Sequence, residues 1–219
     1  VRAAARLWHP YPKEVLSELV AQGIERVVSL PLAPQSVHVY NAAVERAASS
    51  FSRLRIAAAE PYGHALVDAF VEAIGETQGH GALVLTAHSL PRAVVDAGDP
   101  YERDFRAMAA AVEARVKERF DKVHVAFQSK GMDGGTWLEP DLDDVLSEIA
   151  TSGTRDVIIA PIGFLADHVE TLYDIDIAVA QRAHELGFER FQRMPAMNTR
   201  PRFLDALEGV ARALIDRLS

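Results

Sequence analysis

Four ionisable side chains in two stretches carry the strongest indication of chemistry. From Asp156 to Asp176 the chain reads DVIIAPIGFLADHVETLYDID, with Asp167, Glu170 and Asp174 spaced three and four apart. On a helix that spacing predicts three carboxylates on one face. Such a stripe repels itself unless a cation, a proton or water intervenes. It also serves, with no chemistry at all, as an acidic first turn that complements the helix dipole. The second stretch, LVLTAHSLP from Leu83 to Pro91, ends an apolar run at His88. An imidazole there is either a hydrogen-bonded loop residue or, if it faces carboxylates, a donor to a divalent cation or a proton relay near neutral pH.

The elements that must position these groups follow from hydrophobic patterning. Val157-Ile158-Ile159-Ala160 is a short apolar run without polar alternation, as in a parallel strand buried on both faces, and Pro161 and Gly163 break it. The chain then enters a helix that is predicted to run to about Leu186. Ala82 to Ala87 reads as a second buried strand. A strand that ends in a turn and feeds a helix places polar groups at the carboxyl edge of the sheet, where open α/β folds bind ligands. Further strands are predicted at 27–32, 54–58, 122–127 and 188–194. Helices are predicted at 11–22, 39–50, 63–77, 101–120, 140–152 and 201–218. Strand and helix alternate throughout, which predicts an α/β fold of parallel sheets flanked by helices. The polar, glycine-rich stretch 75–81 (GETQGHG) reads as a linker between two halves.

Composition excludes several classes. The formal charge of −8 argues against a nucleic-acid binder and leaves room for a cationic partner. With no cysteine, disulfides, thiolate zinc sites and cysteine-held iron–sulfur clusters are impossible. No apolar run approaches the roughly 20 residues of a membrane span, which leaves contact with a membrane surface open. A third stretch, AFQSKGMDGGTWLEP from Ala126 to Pro140, carries Trp137 on a glycine-rich loop without the spacing of a phosphate-binding motif. Its indole is either an anchor onto the core or a wall for a flat aromatic ligand. The remaining histidines, His168 among them, need no special role.

Taken in order, PLAPQ, TAHSLP, GDPY, FQSK with WLEP, PIGFLADHVETLYDID and the closing MN-x-x-P-x-F-x-x-AL resemble the ferrochelatase family, from Pro31 to Leu207. The resemblance implies two Rossmann-like chelatase halves around a porphyrin cleft. The remainder of the first half would span residues 1–78, with the closing helix (200–219) packed on it. The second half, at 79–199, would carry His88 and Glu170. Since the chain opens on Val1, the resemblance implies an upstream part and a first half that is incomplete here. It also implies insertion of Fe(II) into protoporphyrin IX or coproporphyrin III, in the cytoplasm, as part of heme biosynthesis. His88 and Glu170 would be catalytic and would hold the metal. Asp174 would extend a metal or proton path, Asp167 would orient the site from behind, and Leu90 and Trp137 would touch the porphyrin. No prosthetic group is expected, ferrous iron being a substrate. A non-catalytic carrier of a tetrapyrrole or a metal on the same scaffold is the competing expectation, and a chelatase for cobalt and another tetrapyrrole is a third.

Overall fold

The computed structural model describes residues 1–131 and 134–219, so Met132 and Asp133 of the glycine-rich loop lie outside the described residues. In chain order the elements are α1 (Pro12–Ala21), β1 (Arg26–Ser29), α2 (Val37–Ala48), β2 (Arg55–Ala58), a 3-10 turn (Gly63–Leu66) and α3 (Val67–Gly75). There follow β3 (Ala82–His88), α4 (Arg92–Asp96), α5 (Tyr101–Val116), β4 (Lys122–Gln128), α6 (Leu142–Thr151) and β5 (Asp156–Ala160). The chain closes with α7 (Val169–Leu172), a π-helical turn (Asp174–Val179), α8 (Ala180–Glu185), β6 (Arg190–Arg193) and α9 (Pro201–Asp216).

These elements form an α/β fold with parallel sheets, organised as two compact units. The first comprises Val1–Tyr62 and Asp205–Ser219. Its strands β1 and β2 pair in parallel, and α1 packs on α2. A buried polar knot holds it: Ser29 donates to the Asn41 amide oxygen (2.9 Å), and the Asn41 amide nitrogen donates to the Ala59 carbonyl (2.8 Å). The second unit, Gly63–Leu204, contains a four-stranded parallel sheet in the order β4-β3-β5-β6. The division falls after Tyr62, not at the glycine-rich stretch 75–81. That stretch is a loop inside the second unit, because α3 packs against α5.

The sheet of the second unit is buried on both faces. Ala82 and Val84 of β3 and Val157 and Ile159 of β5 point to one side, where they meet Leu142, Leu146 and Ile149 of α6 with Ile175, Ala183 and Phe188. The alternate residues Leu83, Leu85 and Ile158 turn to the opposite face. There α3 and α5 supply buried Phe70, Ile74, Phe105 and Val112. Strands covered on both faces must be apolar throughout, which is why β3 and β5 show no alternation.

The helix predicted to run on to about Leu186 is interrupted. It is a four-residue helix, then a π turn, then α8. Before it the chain makes a close turn off β5, in which Gly163 N–H donates to the Thr86 carbonyl (3.0 Å). A β-carbon at Gly163 would lie 2.7 Å from the backbone of Ala87 and 2.5 Å from its methyl, so this turn seats directly on β3. The substitution Gly163→Ala must therefore push the segment off the sheet. It is expected to lower stability by about 1–3 kcal/mol, read as a shift of the urea midpoint with an unchanged slope.

Candidate active site

β3 outruns β5 at the carboxyl edge of the sheet. Their parallel register ends at Leu85↔Ala160, while β3 continues beside β4 to the pair His88↔Gln128. His88 thus stands at the tip of a supported strand. The β5 chain, having turned back over Ala87, brings α7 above it. The Nδ1 atom of His88 lies 3.2 Å from Oε2 of Glu170. That distance suits an ion pair, yet Nδ1 is buried without a hydrogen bond. The two side chains are 33% and 36% exposed, so neither is sealed in apolar packing. Since Nδ1 itself is covered, the exposure of the ring comes from its other atoms.

Polar contacts from three directions locate α7. Thr86 donates to the Gln128 amide oxygen (2.6 Å), and the Gln128 amide nitrogen reaches the Glu170 carbonyl (3.4 Å). His168 caps the helix: its Nδ1 accepts from the Glu170 backbone N–H (3.2 Å), its own N–H donates to Thr171 Oγ1 (3.0 Å), and Phe164 packs edge-on against its ring. His168 therefore has a definite structural role, contrary to the expectation that it needs none. Beyond the helix, Asp174 accepts a 2.5 Å hydrogen bond from Ser129, a residue with φ of +58° at the end of β4.

The predicted carboxylate stripe does not form. Asp167 precedes the helix, so helical spacing does not apply to it. It meets Arg193 (3.0 Å) and Asn198, while Glu170 faces His88 and Asp174 faces Ser129. Among the described residues no three His, Asp or Glu side chains are grouped to hold a metal ion. The His88–Glu170 pair is a two-donor set.

Leu90 and Trp137 lie on paired loops beside this edge. Leu138 N–H donates to the Leu90 carbonyl and Arg92 N–H to the Thr136 carbonyl, giving an antiparallel bridge between Pro91 and Trp137. The Trp137 ring lies against Gly131, where a β-carbon would come within 2.5 Å of it. A cavity of about 490 Å³ opens beside the indole, lined by Lys130, Thr136, Glu139 and Asp141 among others. Neither His88 nor Glu170 lines that cavity.

Tyr101 completes the surroundings of His88. Its hydroxyl donates to the His88 carbonyl (2.9 Å), which ties the N-terminus of α5 to the tip of β3. Burial, followed by the negative charges of Glu170 and Asp99, raises its phenol above its ordinary value of 10.0.

Comparison with known proteins identifies the fold and the family. The chain has a chelatase fold: SirB from Bacillus subtilis with Fe3+ superposes with a TM-score of 0.66 at 20% identity, covering 95% of this chain and 79% of that one. At that identity the likeness is one of fold. The ferrochelatase family model matches residues 1–214. The ferrochelatase of Acidobacterium capsulatum is 34% identical over 100% of this chain and 74% of that protein. Those of Geobacter metallireducens and Aquifex aeolicus are 32% and 33% identical, aligned to 95% and 94% of this chain and 69% and 70% of theirs. The chain belongs to the ferrochelatase family. Family and fold together support insertion of a metal into a tetrapyrrole.

The Tyr101 contact makes a prediction at alkaline pH. A phenol whose pKa is raised on folding keeps its full stabilisation below the unfolded value near 10 and loses it as the pH climbs past that point. Tyr101→Phe is expected to cost about 0.5–1.5 kcal/mol at neutral pH. It should also flatten the fall in stability between about pH 9 and about pH 11. Tyr62, also buried and raised, accounts for part of the remaining slope. Urea melts of both proteins at the two pH values measure this, and equal slopes would contradict the assignment.

Proposed function

We propose that this protein inserts Fe(II) into a porphyrin, protoporphyrin IX or coproporphyrin III, in the cytoplasm as part of heme biosynthesis, with His88 and Glu170 as its catalytic residues. The observation that carries the reading is one imidazole 3.2 Å from one carboxylate, both partly exposed, at the carboxyl edge of a parallel sheet.

The chemistry asks for two things. Two pyrrolic N–H protons must leave the porphyrin, and a hydrated dication must shed water as it enters. His88 accepts a proton, or holds the metal, through the exposed edge of its ring. Glu170, at the buried Nδ1, stabilises the imidazolium that results. A two-donor set suits a metal in transit: it supplies part of the coordination sphere and leaves the remaining positions to water and then to the porphyrin nitrogens. A planar porphyrin aims its lone pairs at its own centre, so attack from one face favours a bent macrocycle. Asp174, beyond Glu170 and hydrogen-bonded to a neutral hydroxyl, keeps its charge available to draw the cation or its released protons along the segment. Asp167 braces the segment from the far side, and Leu90 and Trp137 offer apolar contact to the macrocycle. The reaction needs no prosthetic group; iron enters as substrate.

Porphyrin fluorescence with added Zn(II), as a surrogate for ferrous iron, tests the proposal. Catalytic amounts of protein should convert many equivalents of porphyrin, whereas a carrier stops near one. His88→Ala and Glu170→Gln should each lower turnover by at least about 100-fold, with the thermal midpoint little changed. Wild-type turnover in either variant would refute the role assigned to that residue.

A further inference from the structure

Glu170 stands on a helix of four residues, followed by a π turn. A helix that short does not sustain itself in water. Of the segment from Val169 to Ile177, Thr171 and Ile175 are fully buried, whereas Val169, Leu172, Tyr173 and Ile177 are exposed. Two buried side chains, only Ile175 of them apolar, therefore anchor the segment, and the orientation of Glu170 is left to polar contacts. On the side of β3 and β4 these are the contacts of Gln128 and Ser129 described above. On the other side stands Arg193, the last residue of β6, paired with Ile159 in the sheet and 13% exposed at its side chain.

The guanidinium of Arg193 reaches both flanks of the segment. Nη1 lies 3.0 Å from Oδ1 of Asp167, three residues before Glu170. Nε and Nη2 grip Asp176, six residues after it, as a fork at 2.6 and 2.9 Å. Asn198, with φ of +45°, strengthens the first attachment. Its amide nitrogen donates to Asp167 Oδ2 (2.8 Å), and its amide oxygen accepts from the Asp167 backbone N–H (3.0 Å). A planar fork of fixed donors sets distance and direction together, which a point charge on a flexible stem does not. With the guanidinium removed, Asp167 and Asp176 lose their shared cation while both stay about two-thirds covered.

Resting on the reading of Glu170 given above, we infer that Arg193 is a positioning residue for the Glu170 carboxylate. By bridging Asp167 and Asp176 it closes the arc between them and fixes Glu170 opposite His88. It touches neither substrate nor the reacting atoms. Its effect on the reaction runs through where one carboxylate is held, and misplacement by about 1 Å is enough to cost a large factor in rate.

Zn(II) insertion into porphyrin, followed by fluorescence alongside circular-dichroism melts, tests this. Arg193→Met is expected to lower kcat by about 10- to 100-fold, with KM for porphyrin moved by less than about threefold. Arg193→Lys should fall between it and the wild type. Asp176→Asn, which keeps the Asp167 arm, should lose kcat in the same direction by less, and serves if Arg193→Met folds poorly. In a Glu170→Gln background, adding Arg193→Met should leave the residual rate unchanged, since the group it positions is gone. Additive losses, a kcat for Arg193→Met equal to wild type, or a loss matching the unfolded fraction alone would overturn the inference. An inactive Glu170→Gln with a fully active Arg193→Met would overturn the positioning role alone. A fully active Glu170→Gln would instead overturn the reading on which it rests.

Discussion

Leu85 and Ala160 face each other in the parallel ladder, and the site depends on what the two strands do after that pair. β3 carries on through Thr86 and Ala87 to His88, still supported by β4. β5 stops, turns at Pro161 and passes back over Ala87 at Gly163. Adjacent strands lie about 4.8 Å apart, so chains leaving two neighbours at one edge stay within reach of each other's side chains. The imidazole–carboxylate contact is thus a consequence of strand adjacency together with unequal strand length. Had β5 been as long as β3, its own backbone would occupy the place where α7 begins.

Strand adjacency brings the chains near; it does not orient a carboxylate. That task falls to hydrogen bonds and charges at a place where the fold supplies little apolar anchorage. Val169 is 70% exposed and Tyr173 58%. Segments held this way open at lower free energy than the sheet beneath them. On the reading proposed above, a rigid sheet edge under a polar-tethered helix would suit a site that takes in a cation and a flat macrocycle and then releases the product. His88 belongs to the rigid part and Glu170 to the tethered part.

How much of this was legible beforehand follows from the range of each interaction. The parallel, doubly covered strands announced themselves because burial on both faces demands continuous apolar runs, as in Leu83–Leu85 and Val157–Ala160. The nearness of His88 and Glu170 was foreseeable because both stretches leave the same carboxyl edge of the sheet. The carboxylate stripe was misread because helical spacing was applied to Asp167, which lies before the helix, and carried through to Asp174, where the backbone changes to a π turn. Neither change of backbone state leaves a mark in residue spacing. The Thr86–Gln128–Glu170 relay and the Arg193 bridge were invisible for a different reason. Each depends on two or three side chains distant in sequence, and an arginine ending a strand looks the same whether or not acids face it. The boundary at Tyr62 was missed because the glycine-rich stretch 75–81 looks like a linker, while the packing of α3 on α5 keeps it inside one unit.

Once the stripe is replaced by the observed arrangement, the charges of the segment sort into two groups. Asp167 and Asp176 share the one guanidinium of Arg193, which binds both but leaves that flank with part of its negative charge. Glu170 and Asp174 meet an imidazole and a hydroxyl instead of a guanidinium. Both carboxylates lie on the side that faces His88 and the end of β4. On the reading proposed above, a dication entering there would meet two carboxylates able to replace its water, one beside the base that would take up protons from the tetrapyrrole. The same acidic segment is thus held by the carboxylates that Arg193 bridges, and on that reading it would attract with those that Arg193 does not reach.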